Sequence, residues 1–422
     1  MPHKRWISAV LALWMAFAAL LGPGGARPAR KGCCPIVFVH GLGGWGEGAL
    51  LDDVLPHWGM MAGSTRKQLN CLGFEAYAAS LGPVSSTWDR ACELYAQLAD
   101  TRVDYGRAHA EKYGHSRYGE TYEKPLVKGW SAQRPVALLG HSFGGAAIRL
   151  FAQLCEQGSP AERAARQENL SPLFTGELKG RVFAVVTLAA PHNGSTATED
   201  YLVEEGAMGA TLPAQMMAVA RAGMIVPPVD RVYPFHLAHF GFRADEFYRN
   251  PVSAWRVTGA FLEQKDGAAY DLTVDGAKAL NKTIRCQKGI YYFSYAGQAT
   301  EPDAAGNQVP GKAVWSFFAD TSAKMGKKRP PHTTPGGVRI DDSWLPNDGL
   351  VNLVSAQYPF GEPHKPYDPE NIERGVWQVM PTVAGWDHVD FGGGFTPGGV
   401  AGYKEFMLGI AEMIEGLYGK KT

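Results

Sequence analysis

Neither sign of charge is in excess in this chain. Lysine plus arginine and aspartate plus glutamate each number 41 in 422 residues, a formal net charge of zero, and no run of like charges occurs. That balance leaves no electrostatic footprint for a nucleic acid, whose binding rests on clustered basic residues. No internal repeat is visible, so a solenoid or propeller is excluded. The six cysteines contain no C-x-x-C spacing, which argues against a cysteine zinc site or a redox motif. Long apolar runs are also scarce. Ile7 to Leu21 is uncharged but only 15 residues long, short of the roughly 20 that a membrane span needs.

What is present suits a globular protein: 45% hydrophobic and 19% charged residues over a length that can bury a large core. One large domain with insertions is expected. Lys4 and Arg5, the apolar run and the small residues Pro23-Gly24-Gly25-Ala26 together predict a secretory signal peptide over residues 1–26. Secretion follows as an expectation, with no transmembrane segment in the mature chain. Cys33, Cys34, Cys71, Cys92, Cys155 and Cys286 would then be free to pair. Adjacent Cys33 and Cys34 would make a strained bond, and a chain of this size does not depend on disulfides.

The most informative stretch is Gly140-His141-Ser142-Phe143-Gly144, a G-x-S-x-G pattern. It follows the apolar run Pro135–Leu139 and precedes apolar residues at helical spacing from Gly145. Strand, sharp turn and helix are what lift a serine hydroxyl to the top of an α/β-hydrolase sheet. A second apolar strand, Cys34 to Val39, runs into His40-Gly41-Leu42-Gly43. The backbone amides of Leu42 and Phe143 are therefore the expected oxyanion hole. A third strand from Val182 breaks at Pro191-His192. Chain order in this fold is serine, acid, histidine, so His192 comes too early for the base and is expected to be structural.

The acid candidate is Asp348 in Asn347-Asp348-Gly349, on a loop expected after a strand, with Asp341 and Asp342 as competitors. The base candidate is His388, the last histidine of the chain. In that arrangement His388 takes the serine proton, Asp348 orients the imidazole, and Ser142 attacks an acyl carbon to form an acyl-enzyme.

The blocks Ser85–Leu98, Val103–Gly119, Thr187–Gly194, Tyr270–Ala277, Ile340–Gly349 and Gly375–Trp377 resemble the bacterial family I.5 true lipases, the thermoalkalophilic zinc-containing group, with staphylococcal lipases more distant. The likeness runs from about Pro35 to the C-terminus and is long and ordered. It implies an α/β-hydrolase fold with a mostly parallel sheet, a zinc-binding segment at about 84–125 and a helical lid insertion at about 196–250. It also implies a triad at Ser142, Asp348 and His388.

By itself the His-x5-His spacing of His109 and His115 reads as surface histidines. The resemblance instead assigns structural zinc to Asp89, His109 and His115. The family's fourth aspartate falls at Ala238, so His239 or His236 is expected to replace it. For calcium, Asp390 keeps one family carboxylate and Gly311 matches a family glycine, whereas a later aspartate has no counterpart. Ala207 to Val226 is apolar and methionine-rich enough to cover a fatty-acyl pocket. Residues 302–338 read as a surface excursion.

The function these features imply is a secreted triacylglycerol lipase acting on lipid or ester substrates at an oil–water interface. The alternatives are an esterase or aliphatic polyester depolymerase with the same triad and, as the non-enzymatic reading, a lipid-binding protein.

Overall fold

Apolar runs of four to seven residues build the centre of the molecule. In the computed structural model, which describes residues 33–165, 168–199, 232–241, 265–394 and 397–420, they form strands β1 (Ile36–Val39), β2 (Ala76–Ala79), β5 (Val136–His141), β6 (Val182–Leu188) and β7 (Tyr291–Tyr295). A short hairpin, β3 (Arg102–Asp104) with β4 (Tyr118–Thr121), stands apart from them, and β8 (His364–Pro366) and β9 (Trp377–Val379) complete the main sheet. Its order is β8-β9-β7-β6-β5-β1-β2, and every pairing is parallel.

A parallel sheet must be covered on both faces, and alternation along β1 shows how. Val37 and Val39 join one buried cluster with Leu138, Ile148 and Phe151. Ile36 and Phe38 join the other with Leu139, Phe293 and Tyr403. Helices α1 (Thr87–Ala99) and α3 (Gly144–Gln157) cover the first face. Helix α4 (Pro397–Gly419) covers the second through Tyr403, Met407, Ile410 and Ile414. The short α2 (Arg107–Tyr113) sits beside the β3–β4 hairpin. This is the α/β-hydrolase architecture expected from the strand–turn–helix at Ser142.

One expectation is revised. Asp348 does not follow a regular strand; it sits in a loop after the short helical turn Asp342–Trp344 and is closed by an Asn347–Asn352 bridge. The excursion expected at 302–338 carries antiparallel pairs at 300–302/308–310 and 332–333/339–340 and the helix Ala319–Met325. No disulfide joins the six cysteines, all of which lie among the described residues. Residues 1–26 and the stretch Ala207 to Val226 lie outside the described residues. No helix among the described residues is long and apolar enough to cross a membrane.

Candidate active site and candidate metal centre

Ligand sites in open parallel sheets lie beyond the carboxyl ends of the strands, and the chemistry-bearing residues gather there. Ser142 follows β5 directly and adopts φ 53°, a left-handed conformation that side chains rarely take. The turn is held because Gly144 lets α3 start against β1: a Cβ there would meet the Val39 carbonyl oxygen at 2.3 Å. His388 joins the serine to the acid. Its Nε2 lies 2.8 Å from Ser142 Oγ, and its Nδ1 lies 2.9 Å from Asp348 Oδ2. Asp348 is fully buried, and its other oxygen accepts from the Leu350 and Val351 amides at 3.1 and 2.7 Å. Those amides hold the carboxylate in place. Asp341 and Asp342 instead face Arg339 and Lys328 near the surface.

The Leu42 and Phe143 amides have no hydrogen-bond partner among the described residues. They flank the serine from the loop after β1 and from the start of α3. His192 makes its contacts elsewhere: Nε2 is 3.0 Å from Thr187 Oγ1, Nδ1 is 3.4 Å from Arg149, and its ring meets Trp377. A cavity of about 180 Å³ opens at Ser142 and His388 between apolar walls that include Leu42, Trp45, Met60, Phe318 and Val351. His57 also lines it, with both ring nitrogens buried and unpartnered, and burial lowers the imidazole to about 3. Nothing in the sequence pattern singled out His57.

A second cluster lies outside that cavity. Asp89 on α1, His109 on α2, His115 and Asp266 bring one ligand atom each within 4.8 Å of one another. His109 Nε2 is 3.3 Å from Asp89 Oδ1 and 3.2 Å from Asp266 Oδ2, and His115 Nε2 is 3.2 Å from Asp266 Oδ2. Three members are the expected ones; the fourth differs. His239 stands behind Asp89, its Nε2 3.1 Å from Oδ2, while His236 turns to Glu120 at 2.9 Å. Asp266 supplies the carboxylate that Ala238 cannot. No spacing rule would have found it, since it lies well over a hundred residues from the other three and arrives only through the fold.

Burial works against charge on His109, but hydrogen bonds to Asp266 and Asp89 outweigh it and raise the imidazole to about 9. Burial likewise opposes ionisation of Asp89, yet His109 and His239 hold its carboxyl well below the usual range. Asp89 Oδ1 and His115 Nε2 remain buried without a well-formed hydrogen bond. Imidazole and carboxylate atoms that converge in this way, two of them without a hydrogen bond, suit a closed tetrahedral cation site.

Asp390 is buried beside Asp387, whose amide donates to it at 3.0 Å. Burial, then the Asp390 charge, pushes Asp387 up to about 7. Trp315 donates its amide to Asp387 at 2.8 Å, from the turn in which the Gly311 carbonyl accepts from Val314.

Comparison with known proteins finds similarity to lipases over most of the chain. The family model described as lipase-like, C-terminal domain matches residues 33–409. A lipase of Staphylococcus epidermidis is 36% identical over 370 residues, covering 85% of this chain and 50% of its own. The lipase of Staphylococcus hyicus is 36% identical over 365 residues, covering 85% and 53%. The chain therefore spans about half the length of the curated relatives it matches. Among solved structures, the Staphylococcus hyicus lipase aligns with a TM-score of 0.80 at 31% identity, covering 93% of this chain and 99% of that one. EstA from Clostridium botulinum aligns with a TM-score of 0.76 at 32% identity, covering 93% and 88%.

Proposed function

The chain belongs to the family of lipase-like C-terminal domains, and from that premise we propose that it is a carboxylic ester hydrolase, a secreted lipase that cleaves triacylglycerols and related esters. The observation that carries the reading is the His388 ring, bridged at 2.8 Å to Ser142 Oγ and 2.9 Å to Asp348 Oδ2 at the mouth of an apolar cavity. His388 takes the Ser142 proton as Oγ attacks the acyl carbon. Asp348 holds the Nδ1–H tautomer and steadies the imidazolium. The Leu42 and Phe143 amides receive the developing oxyanion, each worth about 3–4 kcal/mol of barrier. The alcohol leaves with the proton from His388, and water then releases the acyl group by the same steps in reverse.

Two cations fit this reading. Asp89, His109, His115 and Asp266 would hold zinc, with His239 orienting Asp89 from behind. Zinc there would cancel the charge of the two converging carboxylates and tie α1, α2 and Asp266 together. None of the four lines the catalytic cavity, so the ion would be structural. Asp390, with Asp387 and the Gly311 carbonyl in the adjoining turn, offers a hard cation such as calcium oxygen ligands, with water completing the shell. The methionine-rich stretch 207–226 suits contact with acyl chains at an oil surface.

Ser142→Ala and His388→Ala should each abolish hydrolysis of emulsified triolein and of soluble short-chain esters, with unchanged circular dichroism. Full activity in His388→Ala, with loss instead in His192→Ala, would overturn the triad. Turnover of soluble esters and solid polyesters but not of triolein would favour the esterase or depolymerase reading.

A further inference from the structure

We propose that Arg90 is a positioning residue of the oxyanion hole, its guanidinium bonding the backbone turn that presents the Leu42 amide and resting on the side chain of Phe143, whose amide is the second donor. The inference rests on the ester-hydrolase reading above.

Arg90, on α1, is completely buried. It forms no ion pair with a carboxylate among the described residues. A buried charge is costly unless its N–H groups are met, and both hydrogen bonds of the Arg90 guanidinium go to backbone carbonyls on or beside the oxyanion-hole turn, while Nε is buried without a partner among the described residues. Nη2 donates to the carbonyl of His40, two residues before Leu42. Nη1 donates to the Gly82 carbonyl at 2.7 Å. The loop at Gly82 in turn holds the far side of the same turn, since the Gly43 amide donates to the Pro83 carbonyl at 3.0 Å. Its Cζ lies 5.2 Å from the centroid of the Phe143 ring, so a cation–π contact reaches the residue carrying the second amide.

The other bonds of this turn lead to the same point. His40 donates from Nδ1 to the Gly41 carbonyl at 2.9 Å and accepts the Leu81 amide on Nε2 at 3.0 Å. The His40 and Gly41 carbonyls and the Gly43 amide are all engaged, and the Leu42 amide between them is left for the oxyanion. Arg90 is the cation that touches both halves of the hole. Oxyanion donors act only when they lie about 2.7–3.1 Å from the developing charge, and a shift of about 1 Å can cost on the order of a hundredfold in rate. Lysine would keep the charge but lose the fork that reaches two carbonyls.

The test uses the full-length enzyme with a soluble p-nitrophenyl ester and an alkylboronic acid, whose serine adduct carries a tetrahedral oxyanion. For Arg90→Met, kcat per folded molecule should fall about 10- to 100-fold with KM nearly unchanged, and the boronate Ki should rise by a similar factor. Arg90→Lys should recover part of both. Near-UV circular dichroism gives the folded fraction, and Arg90→Lys carries the test alone if Arg90→Met does not fold. An unchanged boronate Ki in Arg90→Lys, or a loss of rate that only tracks the folded fraction, would overturn the proposal. Wild-type enzyme inert toward every ester would instead sink the hydrolase reading itself.

Discussion

Glu93 illustrates how a single residue can carry a pH dependence that no surface group does. It lies on α1, one turn beyond Arg90, buried to about 1% exposure. Burial pushes its carboxyl from an ordinary 4.5 to about 7, against the pull of His236 and the Gly82 amide. The carboxyl accepts that amide at 2.6 Å and the Tyr105 hydroxyl at 3.1 Å. A raised acid stays protonated in the folded state while the unfolded chain ionises. Between about pH 4.5 and 7 the folded state therefore binds more protons, and stability falls as pH rises. At about 1.4 kcal/mol per pH unit, the full effect is on the order of 3 kcal/mol. Glu93→Gln should flatten that slope, so that urea midpoints at pH 5 and pH 8 lie closer together in the variant than in the wild type. Equal slopes would mean that Glu93 is solvated or already ionised at pH 5.

Among elements, the strand–turn–helix around Ser142 is the one most exposed to small changes. Gly144 sits where α3 begins against β1, and an added Cβ would meet the Val39 and His40 carbonyl oxygens at 2.3 and 2.6 Å. Backbone oxygens cannot rotate away, so Gly144→Ala must part α3 from β1. We expect a loss of at least about 1–3 kcal/mol in stability together with a disproportionate loss of kcat, since the same shift moves the Phe143 amide. A variant with wild-type melting temperature and kcat would refute the crowding.

The elements legible in the sequence were those with unbroken apolar runs: β1, β5 and β6, and α3 with its helical spacing. Strands β8 and β9 have three residues each, among them His364, Lys365 and Gln378, too few and too polar to show a period. Helix α4 contains six glycines over Pro397–Gly419, which weakens its intrinsic helix signal. It is held by Tyr403, Met407, Ile410 and Ile414 against the sheet, a contact that no local pattern encodes.

On the scale of the whole molecule, the candidate catalytic residues were readable because chain order and short motifs limit the choices: one G-x-S-x-G, one Asn-Asp-Gly and, after it, two histidines, His364 and His388. The metal cluster was only partly readable, because its members are joined by tertiary packing. Asp266 reaches His109 and His115 from a segment remote in sequence, and His239, the expected substitute, ends as a hydrogen-bond partner of Asp89 instead.

That arrangement makes a sharp distinction between ligand and supporter. One zinc per chain should copurify without chelator, and Asp266→Ala should empty the site, whereas His239→Ala should keep the metal with weaker affinity. The ligands come from α1, α2, the turn after α2 and the segment at 266, so the ion would cross-link four parts of the chain. Binding to the native state alone adds stability by mass action, about 4 kcal/mol at a free concentration a thousandfold above Kd. Chelation should therefore lower the melting temperature of the wild type and leave Asp266→Ala unmoved. Below that melting temperature, ester hydrolysis should persist in the stripped enzyme, because the triad has no bond to the cluster. Zinc retained in Asp266→Ala but lost in His239→Ala would exchange the two roles, and abrupt inactivation of a still-folded apo enzyme would place the metal in the chemistry.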